Sequence, residues 1–180
     1  MPGSDSPLPR RQRTPIPLSL ASPARFRLVM GLYPPLLFAG VRVTRVTPDW
    51  TAITVAHRVR PWNSNLNHSA FGGTLFAMTD PFYAVMAAGQ LGPGHRIWNT
   101  TGTIEFLSPG RGTVSATMEL TPAETDIIRA SIDAEGCSVT THVTEIRSAE
   151  GTLVARAAQR LYVRGLDSRT GQDHQRRKSR

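Results

Sequence analysis

Apolar residues recur along this chain with two different periods, and the period predicts which segments are strands and which are helices. Alternation of apolar and polar residues is typical of a strand with one buried face, whereas a spacing of three to four residues is typical of a helix. The alternation is clearest in residues 113–121, where Val114, Ala116, Met118 and Leu120 are expected to point inward. The predicted elements are, in chain order, a helix over 23–36, strands over 40–46 and 51–60, a helix over 72–91, strands over 96–107 and 113–121, a helix over 122–135, and strands over 138–147 and 152–164.

The segment from Gly72 to Leu91 predicts one long helix whose apolar residues cover most of its circumference. A helix that is apolar on all sides is surrounded by protein. Pro81 lies near the middle of this segment. Because proline lacks an N–H donor and clashes with the carbonyl of the preceding turn, we expect a kink at this point.

The order of the elements predicts an α+β fold in which an antiparallel sheet covers the long helix. One sheet covers only one side of that helix, so a second element must cover the other side. The same element of a second subunit, related by a two-fold axis, would do so. The sequence therefore predicts a homodimer or a dimer of dimers.

Composition divides the chain into one domain and two tails. Residues 1–22 are rich in Pro, Ser and Arg and predict a disordered arm, residues 23–164 predict the domain, and residues 165–180 predict a basic disordered tail. The net charge of +8 includes many arginines in the tails. Basic tails are most often solvated, and no nucleic-acid-binding module accompanies them, so we expect no specific nucleic-acid partner. A basic interaction protein that acts through its tails is the alternative that this charge leaves open.

Several classes of protein are disfavoured by what the sequence lacks. The single cysteine, Cys137, allows no intrachain disulfide and favours a reducing compartment, so we expect a cytoplasmic location. No Cys/His spacing predicts a metal site, and no glycine-rich fingerprint predicts a nucleotide cofactor. Residues 70–91 are long enough to cross a membrane, but a central Asp80 costs about 2.5–3.5 kcal/mol on insertion scales. We therefore expect a buried helix and no membrane span.

The residues that suggest chemistry lie around the start of the long helix. Gly72 and Gly73 stand where a loop meets the helix, where the free N–H groups and the helix dipole would stabilise an oxyanion. Asp80 is a carboxylate in an apolar segment, which is costly unless it is used or paired, with Arg58 and Arg96 as the pairing candidates. In one helix Asp80 and Gly73 would lie about 10 Å apart along the axis. We therefore expect both groups to act on one substrate only if two subunits share the site.

The spacing of Asn65, Gly72-Gly73 and Asp80 resembles that of hotdog-fold thioesterases of the phenylacetyl-CoA thioesterase type. Residues 103–109 resemble the strand that follows the helix in those proteins. Residues 26–50 and 71–82 are similar to an uncharacterised branch of the same superfamily. The resemblance covers residues 25–164 and implies a hotdog fold, in which an antiparallel sheet wraps around one long buried helix. It also implies an acyl-CoA substrate and an active site at a subunit interface.

The resemblance assigns roles residue by residue. Asp80 would be the general base or the nucleophile, the N–H groups of Gly72 and Gly73 would polarise the thioester carbonyl, and Asn65 would position the water or the acyl group. Phe71 departs from the pattern, because that position is commonly His in characterised thioesterases. The remaining substrate-binding candidates are loop residues and arginines that could bind CoA phosphates: Asn67, His68, Arg58, Arg60, Arg96 and Arg111. The alternative function is a non-catalytic acyl or acyl-CoA-binding protein of the same fold.

Overall fold

Six strands form one antiparallel sheet in a computed structural model that describes residues 22–166. The strands are β1 (Val41–Val46), β2 (Ala52–Arg58), β3 (His95–Phe106), β4 (Thr113–Glu119), β5 (Cys137–Ser148) and β6 (Leu153–Gly165). Their order across the sheet is β1-β2-β4-β5-β6-β3, and every neighbouring pair is antiparallel. The α+β class and the predicted strands are therefore confirmed, whereas most of the predicted arm and tail lies outside the described residues.

Five α-helices accompany the sheet in the described part of the chain. They are α1 (Pro23–Leu32), α2 (Pro34–Ala39), α3 (Gly72–Ala77), α4 (Phe82–Leu91) and α5 (Pro122–Glu135). Helix α5 is capped at both ends. Thr121 and Glu124 form a capping box at its start, and Gly136 ends it in the left-handed conformation. The core lies between the inner face of the sheet and α4, where Met86, Met118 and Leu161 are fully buried.

The first predicted helix, over 23–36, is instead two helices. Tyr33 lies between them in an extended conformation, with φ −67° and ψ 114°. The residue before a proline is pushed away from helical ψ values, so Pro34 ends α1 at Leu32. Prolines are tolerated in the first turn of a helix, so Pro34 and Pro35 then begin α2.

The long helix predicted over 72–91 is likewise interrupted. Helix α3 ends at Ala77, residues 78–81 form turns, and α4 begins at Phe82 with Pro81 as its N-cap residue. The interruption falls at the predicted proline, but it is a break of several residues rather than a kink. In the single chain, Gly73 and Asp80 are exposed, whereas the residues of α4 are buried or half-buried.

Strand β3 forms one edge of the sheet. It pairs only with β6 among the described residues, and most of its side chains are exposed, including Phe106 at 57%. Edge strands present unpaired N–H and C=O groups that can pair with another chain. The inward face predicted for β4 is confirmed, because Val114, Ala116 and Met118 are buried.

Trp50 ties the N-terminal helices to α4. It adopts a positive φ of 62°, its ring packs edge-on against Phe26 at 5.5 Å between centroids, and its carbonyl accepts a hydrogen bond from Gln90. The ring also lies directly over Gly89, where a Cβ atom would be only 2.3 Å from Trp50 Cγ. A glycine is therefore required at this point of α4.

Gly89→Ala is expected to destabilise the protein by about 1–3 kcal/mol, because the new methyl group would force the Trp50 ring to move. Gly31→Ala in α1 is the matched control, since a Cβ there meets nothing within 4 Å. The control should gain about 0.5–1 kcal/mol from helix propensity. Urea denaturation of both variants measures the difference, and a gain in stability for Gly89→Ala would contradict this packing.

Stability is also expected to fall in mild acid. Burial lowers the pKa of His57, opposed by its hydrogen bond to the Gly40 carbonyl, and burial lowers the pKa of His142, opposed by Glu124. An unfolded histidine titrates near 6.5, so below that pH the unfolded state binds more protons than the folded state. The free energy of unfolding should therefore decrease as pH falls below about 6.5, and His142→Gln should reduce that slope. Urea denaturation at a series of pH values measures it, and a parent protein equally stable at pH 7 and pH 5 would exclude this linkage.

Candidate functional site

Helix α3 runs antiparallel along the exposed edge strand β3. A Cβ atom at Gly72 would lie 2.9 Å from the Phe106 ring, and a Cβ atom at Gly102 would lie 2.6 Å from the Phe76 ring. Four residues further along the helix region, Asp80 contacts Asn99. Gly72 and Asp80 therefore stand at opposite ends of the same edge, and one chain does not bring them together.

The start of α3 leaves backbone donors free. The first helical hydrogen bond runs from the Leu75 N–H to the Phe71 carbonyl, with N and O 3.1 Å apart. In the described part of the chain, the N–H groups of Gly72 and Gly73 have no acceptor. Gly73 is exposed, and the Phe71 ring lies over it, 2.6 Å from where a Cβ atom would be. The two glycines allow this close approach of aromatic rings to the helix start.

Asn65 organises the loop that leads to this helix start. Its side-chain oxygen accepts hydrogen bonds from the Asn67 and Ser69 N–H groups at 2.9 and 3.1 Å, and from the Ser69 hydroxyl at 3.1 Å. Its amide nitrogen donates a long bond of 3.4 Å to the Ala70 carbonyl. His68 is exposed and takes a positive φ of 55° within the same loop. Asn65 therefore shapes the loop that leads to Gly72.

Asp80 is exposed in the single chain, which corrects the sequence-based picture. Met78 and Phe82 are fully buried, but the break between α3 and α4 turns Asp80 away from them. The carboxylate also pairs with neither arginine considered for it. Its recorded partner is Asn99, whose amide nitrogen lies 3.4 Å from the Asp80 carboxylate and also donates to the Asp80 backbone carbonyl.

Asn99 is a residue of this site that sequence reasoning missed. The pairing of β3 with β6 shifts between Asn99 and Thr101, and such bulges re-aim side chains next to functional sites. The Asn99 side-chain oxygen is buried and has no donor among residues 22–166. The only sequence signal was an asparagine inside a strand, where this residue type is disfavoured.

A second amide holds the residue before Asp80. The Thr79 hydroxyl donates to the Phe76 carbonyl at 2.9 Å and accepts from the Gln159 amide nitrogen at 3.2 Å. Gln159 is fully buried on β6. Because the Thr79 hydroxyl hydrogen is donated to the Phe76 carbonyl, the Thr79 oxygen can only accept a hydrogen bond from Gln159. The nitrogen of the Gln159 amide, rather than its oxygen, therefore faces Thr79. Two adjacent strands therefore anchor the turn that carries Asp80.

The four predicted phosphate-binding arginines are not gathered at one point. Arg58 and Arg60 line a cleft beside β1 and α1. Arg96 lies at the start of β3 opposite Arg164, beyond the Asp80 end of α3. Arg111 follows Gly110, whose carbonyl accepts a hydrogen bond from Ala70 at 2.8 Å, beside the loop that leads to Gly72.

Within residues 22–166, no group of three or more His, Cys, Asp or Glu side chains is placed to hold a metal ion. None of the helices in that range has the length and apolar character needed to cross a membrane.

This architecture is shared with solved structures of other proteins. The chain is similar to a Pseudomonas aeruginosa protein of unknown function described as a probable thioesterase, with a TM-score of 0.71 and 16% identity, covering 84% of this chain and 97% of that one. It is similar to a thioesterase from Haemophilus influenzae, with a TM-score of 0.61 and 14% identity, covering 82% and 94%. It is also similar to the PaaI protein of the E. coli phenylacetic acid degradation operon, with a TM-score of 0.56 and 18% identity, covering 81% and 93%. The fold is therefore the hotdog fold.

The chain belongs to the family called Domain of unknown function (DUF4442), whose sequence profile matches residues 23–163. No curated protein sequence is significantly similar to the chain. The resemblance to the hotdog superfamily and to an uncharacterised branch of it is confirmed.

Proposed function

We propose that this protein is a cytoplasmic acyl-CoA thioesterase that works as a homo-oligomer with its active sites at subunit interfaces. The observation that carries the proposal is that Gly73, at the start of α3, and Asp80, in the turn after α3, are both exposed. The free N–H groups at one end suit an oxyanion, and the anchored carboxylate at the other end suits a base or nucleophile. The thioesterases of the same fold support this assignment.

The exposed edge of β3 supports a second subunit. Pairing β3 with the same strand of a second copy would satisfy its free backbone groups. Because α3 runs antiparallel along β3, a two-fold axis near Gly102 would bring Asp80 of one subunit toward the Gly72 end of the other. A dimer in this arrangement completes the site, and a dimer of dimers would keep the same pairing.

In the proposed reaction, the N–H groups of Gly72 and Gly73 polarise the thioester carbonyl. Asp80 removes a proton from the attacking water, or it attacks the carbonyl itself and forms an anhydride that water then hydrolyses. The carbon–sulfur bond breaks, and the CoA thiolate leaves and takes up a proton. Asn65 fixes the loop beside this carbonyl, with Asn67 and His68 exposed next to it.

Arginines on either side of the site are proposed to bind the CoA phosphates. Arg111 lies beside the loop that leads to Gly72, and Arg96 lies beyond the Asp80 end. Arg58 and Arg60 line a neighbouring cleft. Guanidinium groups suit this role because they are always charged and bind phosphate in a bidentate manner.

A second candidate function is binding of acyl groups or acyl-CoA without efficient hydrolysis. Phe71 favours it, since its exposed ring has no hydrogen-bond donor and covers Gly73. A site in which this ring restricts the approach of water would retain ligand without turnover. The two functions predict different turnover in the parent protein and in a variant that lacks the Asp80 carboxylate.

Asp80→Asn is expected to lower kcat for acyl-CoA hydrolysis by about 10²–10⁴-fold, because it removes the base and keeps the size of the side chain. The affinity for acyl-CoA should persist, as measured by isothermal titration calorimetry. A parent protein that binds acyl-CoA but shows no turnover would favour the binding function. Clear turnover that survives the substitution would exclude Asp80 as the catalytic group.

Subunit mixing tests whether the site is shared. Asp80→Asn removes the carboxylate, and Gly73→Val blocks the backbone N–H groups with a side chain, so either variant alone should be inactive. Refolding the two together should restore activity, because a mixed dimer contains one intact site. Inactive mixtures from two variants that still dimerise by sedimentation would show that each chain carries its own site.

Asn99→Ala is expected to lower kcat by about 10–100-fold with little change in KM, because a misplaced catalytic group slows chemistry without weakening binding. The control is the same change in the Asp80→Asn background, where no further loss should occur if Asn99 acts through Asp80. Equal losses in both backgrounds would contradict a positioning role.

A further inference from the structure

The N-terminal helices expose large apolar side chains that nothing in the described chain covers. Leu28 and Leu32, one turn apart on α1, are 68% and 69% exposed, and Phe38 on α2 is 83% exposed. Phe26 and Leu36 are the buried residues of these two helices. Monomeric proteins rarely expose contiguous apolar patches of this kind without a binding role.

These side chains belong to one continuous surface. Leu28, Leu32 and Leu37 line a cleft of about 710 Å³ together with Trp62. Trp62 also lines a second cleft with Phe38 and Phe71. We call this surface the N-terminal apolar face, and it consists of Leu28, Leu32, Leu37, Phe38, Trp62 and Phe71.

The charge around this face has a single sign. Arg27, Arg42, Arg58 and Arg60 line the first cleft, and neither cleft is lined by a carboxylate from residues 22–166. The guanidinium group of Arg60 lies over the Trp62 ring, 5.0 Å from its centroid. Along the sequence, residues 6–79 contain nine of the 21 Arg and Lys residues and only one of the 13 acidic residues. This segment accounts for the whole net charge of +8.

That charge argues against a second copy of the chain as the occupant. A two-fold contact brings the same surface of each subunit together, so arginines would face arginines. Residues 1–21 do not complement the face either, because they contain three arginines and one acidic residue. The occupant that suits the face must be apolar and negatively charged.

Protruding Leu, Phe and Trp side chains beside arginines are typical of surfaces that insert into the headgroup region of a bilayer. The apolar groups enter the acyl boundary, the tryptophan lies at headgroup level, and the arginines attract anionic lipids. An acidic protein partner would satisfy the charges, but it would need matching apolar pockets for each protruding side chain.

We infer that the N-terminal apolar face docks on anionic lipid membranes. Phe71, at the border of this face, also covers Gly73 of the candidate site. If the proposed function holds, docking would present membrane-partitioned acyl substrates to that site. The docking itself does not depend on hydrolysis.

Flotation of the full chain with lipid vesicles tests the inference. The protein should float with phosphatidylcholine vesicles that contain phosphatidylglycerol, should not float with phosphatidylcholine alone, and should be released by high salt. Leu28→Ser/Leu32→Ser should weaken binding by about tenfold or more, because two inserted side chains are lost. Arg27→Gln/Arg42→Gln should weaken it and reduce its salt dependence. These variants avoid Arg58 and Arg60, which the proposed CoA site also uses.

Ile127→Ser/Val139→Ser is the matched control, because these exposed apolar residues lie on α5 and β5 outside the face. It should bind vesicles like the parent. Absence of flotation would overturn the inference. Flotation that Leu28→Ser/Leu32→Ser leaves intact would also overturn it, because basic segments would then bind the vesicles by charge alone. Binding to polyglutamate in place of vesicles would point to an acidic protein instead. Hydrolysis of a short, water-soluble acyl-CoA by the leucine variant, measured in parallel, keeps the two proposals separate.

Discussion

The candidate site depends on the break between α3 and α4. Pro81 cannot donate the hydrogen bond that a continuous helix needs at its position, so α3 ends at Ala77 and the chain turns before α4 begins. The turn directs Met78 and Phe82 into the core and Asp80 to the surface. In this turn, the Asp80 carboxylate lies beside Asn99 at the bulge of β3.

Anchoring from two strands gives this turn a defined position. Asn99 on β3 donates to Asp80, and Gln159 on β6 donates to Thr79. Turns at the surface are usually mobile because few buried contacts hold them. Here two amide side chains hold adjacent residues from adjacent strands, which suits a group that must keep a fixed geometry during chemistry.

The two edges of the sheet, at β1 and at β3, lie beside surfaces of different chemical character. On the β1 side, α1 and α2 expose apolar residues among arginines. On the β3 side, the outer edge of β3 pairs with no other strand of residues 22–166 and lies next to α3 and Asp80. Backbone pairing suits a second copy of the chain, whereas apolar side chains within positive charge suit an anionic lipid surface. The two proposed contacts therefore use different chemistry, and they meet at Phe71, which belongs to the N-terminal apolar face and covers Gly73 of the candidate site.

The sequence by itself determined the class of fold, the order of the strands along the chain, and the caps of α5, because alternation, proline positions and capping residues act locally. It also marked Gly72, Gly73 and Asp80, whose residue types are unusual for where they stand. Pro34 and Pro81 also marked where the predicted helices are interrupted, but only the tertiary structure decided that Asp80 is exposed and that Asn99 contacts it. The contact of Asn99 depends on a bulge between β3 and β6, whose paired positions are at least 49 residues apart in the chain, and 62 residues apart for Asn99 and Leu161. Contacts of this kind depend on strand register and on the packing of the whole sheet, and local sequence patterns do not contain that information.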